Sequence, residues 1–203
     1  MGKLFPLATV GGLGGMGLGG YGIYKMREKP ETLKGLLKGV PLATNRESYK
    51  TTFEFSKKSD KDLMAMLKNK KDSISESSNH EEVAILMEEW CFENINKKVG
   101  TPNQDEILDK IKKWCIAKPE TIEGMLEKPI LRNGWEGKYD GIKDKEGVVN
   151  DIKTTEFTEN DKSNKDKGGP ALKKWCEEKL RSKTYEVGAT ELFQKVSDRC
   201  VSS

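Results

Sequence analysis

Apolar residues beyond residue 59 recur mostly at intervals of three and four, which is the spacing of one face of an α-helix. This periodicity predicts a short helix beginning at Pro119 and five longer ones, over residues 60–70, 80–98, 104–117, 170–182 and 188–201. The chain is therefore expected to be mostly α, with a small helical bundle as its main architecture.

Helix 80–98 carries apolar side chains on two sides. Val83 and Met87 share one face, whereas Ile85 and Phe92 lie seven residues apart on the opposite side. Because a helix that is apolar on two sides is usually covered on two sides, this helix is expected at the centre of the bundle.

Polar segments separate the predicted helices and predict long loops. Residues 72–79 are rich in serine, 128–150 contain several glycines and read as irregular, and 158–169 read as a mobile polar loop. Residues 49–55 contain β-forming residues, but the segment is short and isolated.

The N-terminal pattern differs from the rest, since Leu4 to Tyr24 form an uncharged stretch of 21 residues between Lys3 and Lys25, and eight of them are glycine. A helix needs roughly 20 mostly apolar residues to cross the hydrocarbon core of a bilayer. The stretch therefore predicts a single-pass transmembrane helix, with the lipid bilayer as a partner. Two alternatives remain, a cleaved signal segment and a soluble glycine-rich loop.

The predicted organisation has three parts. Residues 1–27 form the membrane anchor or signal segment, 28–58 a juxtamembrane linker, and 59–203 the helical domain. Basic residues flank the anchor mainly on its C-terminal side, which by the positive-inside rule favours a cytoplasmic domain. The cysteines described below favour the extracellular side instead. The localisation expected is the cell membrane, with the side of the domain left open between these two signals.

The charge distribution excludes several partners. The formal net charge of +3 comes from Lys3, Lys25 and Arg27, because residues 28–203 hold 33 basic and 33 acidic side chains. A balanced domain attracts DNA or RNA poorly, so no nucleic-acid partner is expected. The local run from Lys57 to Lys71, with six lysines, is interpreted as a solvated helix face.

Three of the four tryptophans precede a cysteine, at Cys91, Cys115 and Cys176, and a fourth cysteine lies at Cys200. The four cysteines either pack in the core as small apolar groups or form disulfides in one of three connectivities. Disulfides are expected only if the domain faces an oxidising exterior. No metal site is predicted, because the chain has no Cys-x-x-Cys and its only histidine, His80, is interpreted as a solvated residue at a helix start.

Catalytic constellations are absent from the sequence pattern. A single histidine argues against serine triads and histidine bases, and there is no P-loop. The prediction is therefore no enzyme, no catalytic residue, no cofactor and no small-molecule substrate. A hydrolase that uses paired carboxylates remains the weakest alternative.

The overall layout resembles a known group of proteins. The N-terminal MGKLFPLATVGG, the lysine-rich body and the recurring Trp-Cys pairs are similar to those of the large paralogous families of uncharacterised membrane-associated proteins in hemotropic mycoplasmas. The resemblance implies a surface antigen in antigenic variation or host interaction, with a host protein as partner. It brings no catalytic or binding residues. The alternative function is a scaffold tethered to the cytoplasmic face of the membrane.

Overall fold

The computed structural model describes residues 30–202. This part of the chain contains ten α-helices, one 3₁₀ helix over Glu159–Asp161 and four isolated β-bridges, without strands. The helices are α1 Leu33–Leu36, α2 Arg46–Ser56, α3 Lys61–Lys70, α4 His80–Ile95, α5 Gln104–Trp114, α6 Ile122–Met125, α7 Trp135–Ile142, α8 Val148–Ile152, α9 Lys165–Lys179 and α10 Ala189–Arg199. The expected helical character is confirmed.

Short polar side chains start several of these helices. The side chain of Asn45 accepts a hydrogen bond from the third residue of α2, Asp60 does the same for α3, and Asn79 accepts from two backbone N–H groups of α4. Each such bond satisfies a donor that the first turn of a helix leaves without a partner, and is typically worth about 1 kcal/mol. The helix starts therefore follow from local sequence.

The buried side chains form two separate cores, one in each half of the chain. The core of the first half, residues 30–117, is built from α1 to α5 around Phe53, Met87 and Trp114. The core of the second half, residues 119–202, is built from α6 to α10 around Tyr139 and Leu172. The two halves contain five helices each in the same order.

The same backbone contacts open both halves. In the first half, the N–H of Leu33 donates to the carbonyl of Lys97 over 2.9 Å. In the second, the N–H of Ile122 donates to the carbonyl of Ser182 over 3.0 Å. An antiparallel bridge lies beside each bond, joining residues 32 and 98 or 121 and 183.

The same backbone contacts also close both halves. The carbonyl of Cys115 accepts from the N–H of Ala43, and the carbonyl of Cys200 accepts from the N–H of Leu131, both over 2.8 Å. The last helix of each half has 11 residues and starts after a left-handed residue, Asn103 or Gly188. Because these contacts match pairwise at offsets of 85 to 89 residues, the halves are two copies of one structural unit.

The sequence keeps a trace of this duplication. Pro-Glu-Thr occurs at residues 30–32 and again at 119–121, directly before α1 and α6. A glycine follows in each copy, at Gly35 and Gly124, and a Cβ there would meet the proline ring of its own motif at 2.4 or 2.8 Å. The two copies therefore place glycine where the proline ring packs against the helix backbone.

The packing between α7 and α9 depends on one close approach. A Cβ at Gly168 would lie 2.2 Å from the ring of Tyr139, so the ring packs directly against the backbone of α9. The Tyr139 hydroxyl donates to the carbonyl of Lys162 over 2.8 Å, which fixes the ring from its other end. The expectation of a mobile loop over residues 158–169 is therefore wrong. Helix α9 already begins at Lys165 and contains Pro170.

Two further expectations about segments are wrong. Residues 28–58 were predicted to be a linker, but their described part contains α1 and α2, and Phe53 of α2 is fully buried. The β-forming residues 49–55 lie inside α2, because the helix places Tyr49 and Phe53 one turn apart on its buried face. Likewise, residues 128–150 contain α7 and the start of α8 rather than only irregular backbone.

Helix α4 occupies the expected central place in only one respect. It packs against α1, α2, α3 and α5, so it is the central helix of the first half. Its second apolar side is not covered, however, since Phe92 is 68% exposed and Ile85 is 36% exposed.

The predicted membrane segment, Leu4 to Tyr24, lies outside the described residues. Within residues 30–202, no helix combines the length and the apolar character needed to cross a bilayer.

Candidate functional site

The junction between the two halves holds the largest concentration of buried polar groups that sequence patterns did not indicate. Helix α2 of the first half packs there against α10 of the second. The hydroxyls of Thr51 and Thr184 lie 2.9 Å apart, and Thr184 also donates to the carbonyl of Pro119 over 2.7 Å. The Thr190 hydroxyl donates to the carbonyl of Glu54 over 2.8 Å. The two halves are thus joined by hydrogen bonds between buried and partly buried groups.

Glu54 is the central charged group of the junction, with only 1% of its side chain exposed. Its Oε1 accepts from the backbone N–H of Gly188 over 2.9 Å, at the start of α10. Its Oε2 lies 2.5 Å from Nζ of Lys57. A carboxylate at a helix N-terminus is favoured by the helix dipole, and the lysine supplies the opposite charge that a buried carboxylate needs.

His80 joins this cluster from the first turn of α4. Its Nε2 lies 3.2 Å from Glu54 Oε2, and its Nδ1 lies 3.0 Å from the carbonyl oxygen of Tyr185. The imidazole also packs edge-on against the ring of Phe53. The expectation of a solvated histidine is wrong, because its side chain is only 11% exposed and both ring nitrogens face protein acceptors. Neither nitrogen is free to serve a substrate.

A shallow cleft of about 400 Å³ lies outside this cluster, between the start of α4 and the segment before α10. Its wall includes Lys50 and Glu81, which form an ion pair with each other, and Val187, which is 82% exposed. Its lining also contains Glu186, Ser77, Ser78 and Tyr185, and its histidine, His80, is held by Glu54 and the Tyr185 carbonyl. Its chemistry fits recognition of a surface better than catalysis.

The lysine run from Lys57 to Lys71 lines part of a second groove of about 680 Å³, between α2, α3 and residues 75–77. Four of the six lysines, however, are committed to acidic partners, at positions 57, 58, 70 and 71. The exposed pairs of Lys58 and Lys71 agree with the interpretation of the run as a solvated face, whereas Lys57 belongs to the buried junction.

Asp60 caps α3 beside this groove and ties α3 to α5. It accepts from the indole Nε1 of Trp114 over 2.7 Å and from Lys113 over 2.9 Å. Burial raises the pKa of Asp60, but the hydrogen bonds from Lys113, the Leu63 backbone and Trp114 outweigh it and hold the pKa below its ordinary value. The residue is a structural anchor with its lone pairs occupied.

The four cysteines form two disulfides, one within each half. Cys91 is bonded to Cys115 and Cys176 to Cys200, with Cα–Cα distances of 5.7 and 5.6 Å and a separation of 24 residues in both. Each bond joins the fourth helix of its half to the end of the fifth. Of the three possible connectivities, the structure has the one in which each copy of the duplicated unit contains one disulfide.

Within residues 30–202, no group of three or more histidine, cysteine, aspartate or glutamate side chains is placed to hold a metal ion.

The junction residues Thr51, Glu54 and Thr184 were missed by sequence reasoning, because a buried glutamate in a charged sequence looks like any surface glutamate. The available signal was the repeated Pro-Glu-Thr, which would have shown that residues 28–58 belong to a folded unit.

Comparisons with protein-family models, with curated proteins and with solved structures find no match to this chain.

Proposed function

We propose that this chain is a membrane-anchored protein without catalytic activity. Its duplicated helical region is displayed on the outer surface of the cell, where it contacts a host protein or varies as an antigen. One observation carries the proposal, namely that each of the two halves is closed by its own disulfide.

Disulfides persist in oxidising surroundings and are rare in the reducing cytoplasm. Two bridges at equivalent positions of two copies show that the unit as such is built around a bridge, rather than that two thiols happen to meet. This supports the outer side of the membrane over the cytoplasmic side that the basic flank favours. The resemblance to the membrane-associated families of hemotropic mycoplasmas supports the same placement.

The environment of the polar groups supports a role in recognition. His80 and Glu54, the nearest approach to an acid–base pair, are enclosed and bonded to the second half. Surface charges lie largely in exposed ion pairs, and such pairs contribute little to stability but shape the charge pattern that a partner meets. A surface of this kind can vary in sequence while the bridged core stays unchanged.

The decisive experiment combines thiol state with accessibility. The protein is alkylated in intact cells without reductant, and its mass is measured before and after reduction. The proposal expects no alkylation before reduction and four alkylated cysteines after it, together with digestion of the domain by protease added outside the cells. Free thiols and protection from protease until the membrane is broken would assign the domain to the cytoplasmic face as a scaffold.

A further inference from the structure

One corner of the first half combines exposed lysines with exposed apolar side chains. Lys34 and Lys38 lie on and just after α1, and Lys97 and Lys98 follow α4. All four are exposed, and none forms an ion pair with any of the residues 30–202. We call this set the basic corner.

Backbone contacts bring the two segments of the basic corner together. Besides the bond between Leu33 and Lys97, the N–H of Val99 donates to the carbonyl of Glu31 over 3.0 Å. Leu33 is fully buried, whereas Leu36, three residues later in α1, is exposed. Leu36 and Val99 are each 41% exposed and lie in the same two segments as the lysines.

The second half provides an internal comparison, because it repeats the same backbone contacts with different side chains. At the positions equivalent to Lys34 and Lys38 it has Glu123 and Glu127. At the position equivalent to Val99 it has Thr184, which is fully buried in the junction. At the positions equivalent to Lys97 and Lys98 it has Ser182 and Lys183, and Lys183 forms an ion pair with Glu120. The fold therefore does not require four unpaired lysines or an exposed Val99 at this corner, and their presence in the first half calls for another cause.

The basic corner also lies where the chain leaves the predicted anchor. Six residue steps separate Tyr24 from Pro30, and such a segment spans at most about 20 Å. Pro30 directly precedes Glu31, whose carbonyl is part of the corner. A domain tethered at this point keeps the corner near the lipid headgroups, where each lysine gains roughly 1 kcal/mol from an anionic surface.

We infer that the basic corner rests on anionic lipid headgroups of the membrane that carries the anchor, with Leu36 and Val99 entering the interfacial layer. This inference depends on the membrane anchorage proposed above and on anionic lipid in the outer leaflet, which is the side on which the domain is placed there. The contact would fix the orientation of the domain, so that the second half, with its acidic equivalent corner, points away from the membrane and is presented to partners.

The test uses the full chain in nanodiscs of phosphatidylcholine, with or without phosphatidylglycerol, and measures lysine acetylation rates by mass spectrometry. The four lysines of the corner are expected to react roughly threefold or more slowly in the anionic discs. Lys145 and Lys153, which are exposed and unpaired within residues 30–202, serve as controls with unchanged rates. High salt should abolish the protection, because it shortens the Debye length from ~8 Å to ~3 Å.

A matched pair of variants separates lipid contact from general charge. The variant K34E/K38E/K97E/K98E reverses the charge of the corner, as Glu123 and Glu127 do at two of the equivalent positions, and Leu36 and Val99 remain. Limited proteolysis of the domain in anionic discs is expected to become faster in this variant and to stay unchanged in the control K145E/K153E. Two results would overturn the lipid contact. One is equal acetylation rates for the corner and control lysines in the anionic discs. The other is protection that changes with the number of protein chains per disc and not with the lipid charge. A chain that elutes apart from the discs would overturn the anchor itself.

Discussion

The two disulfides allow one prediction to be worked through quantitatively. The pairs C91A/C115A and C176A/C200A each remove one bridge and replace sulfurs that are almost fully buried. Each bridge closes a loop with a sequence separation of 24 residues. In the chain-entropy description, a loop of this length restricts the unfolded chain by about 3–4 kcal/mol.

The expected effect on thermal unfolding follows from that figure. For a domain of this size each kcal/mol corresponds to a change of roughly 2–4 °C in Tm, so each double variant should lose about 7–14 °C. Because the loops are equally long and lie in separate cores, the two variants should lose similar amounts. The quadruple variant should lose about their sum, since distant sites usually add.

The assay is thermal unfolding followed by circular dichroism, with and without a reductant. Reductant should lower the Tm of the wild-type chain to near that of the quadruple variant and leave the variant itself unchanged. A loss below about 3 °C in either double variant, or a wild-type Tm that does not respond to reductant, would refute the assigned bridges.

Three further predictions concern single positions. Gly168→Ala should cost about 1–3 kcal/mol of stability in chemical denaturation, because its Cβ would overlap a tyrosine ring, whereas Gly137→Ala, with open space around it, should gain about 0.5–1 kcal/mol; equal effects would contradict the close packing. Glu54→Gln should destabilise the chain by about 3 kcal/mol, since it leaves Lys57, whose side chain is only 11% exposed, without its charge partner. Glu191→Gln, in an exposed pair across the same junction, should change little. Asp60→Asn should weaken the acid dependence of unfolding: a carboxyl whose folded pKa is lowered stabilises above its unfolded value of 3.8 and loses this contribution as the pH falls through the folded pKa. The measurement is the free energy of unfolding in urea as a function of pH. If its slope below pH 3.8 is the same in the variant as in the wild-type chain, Asp60 does not carry the effect.

Sequence periodicity alone located the long helices of residues 80–117 and 188–201, although it missed α7 and α8. Helices expected over 80–98, 104–117 and 188–201 are observed at His80–Ile95, Gln104–Trp114 and Ala189–Arg199. Apolar spacing and polar residues at helix starts act over only a few neighbours, so a single sequence reports them well. The same local reasoning placed residues 49–55 in a linker and found only β propensity in them, whereas the burial of Phe53 in a core accompanies a helix there.

Contacts in three dimensions set the grouping of the helices into two copies, the pairing of the cysteines and the positions of Glu54 and His80. These features depend on contacts between distant residues, such as the bond between Glu54 and Gly188, which are 134 positions apart. A residue type does not reveal whether it faces water or a partner that far along the chain, because the same glutamate suits an exposed helix face and a buried helix cap. The duplication is hard to detect in the sequence because the side chains of the two copies have diverged. The repeated unit is preserved by backbone hydrogen bonds, which do not depend on side-chain identity.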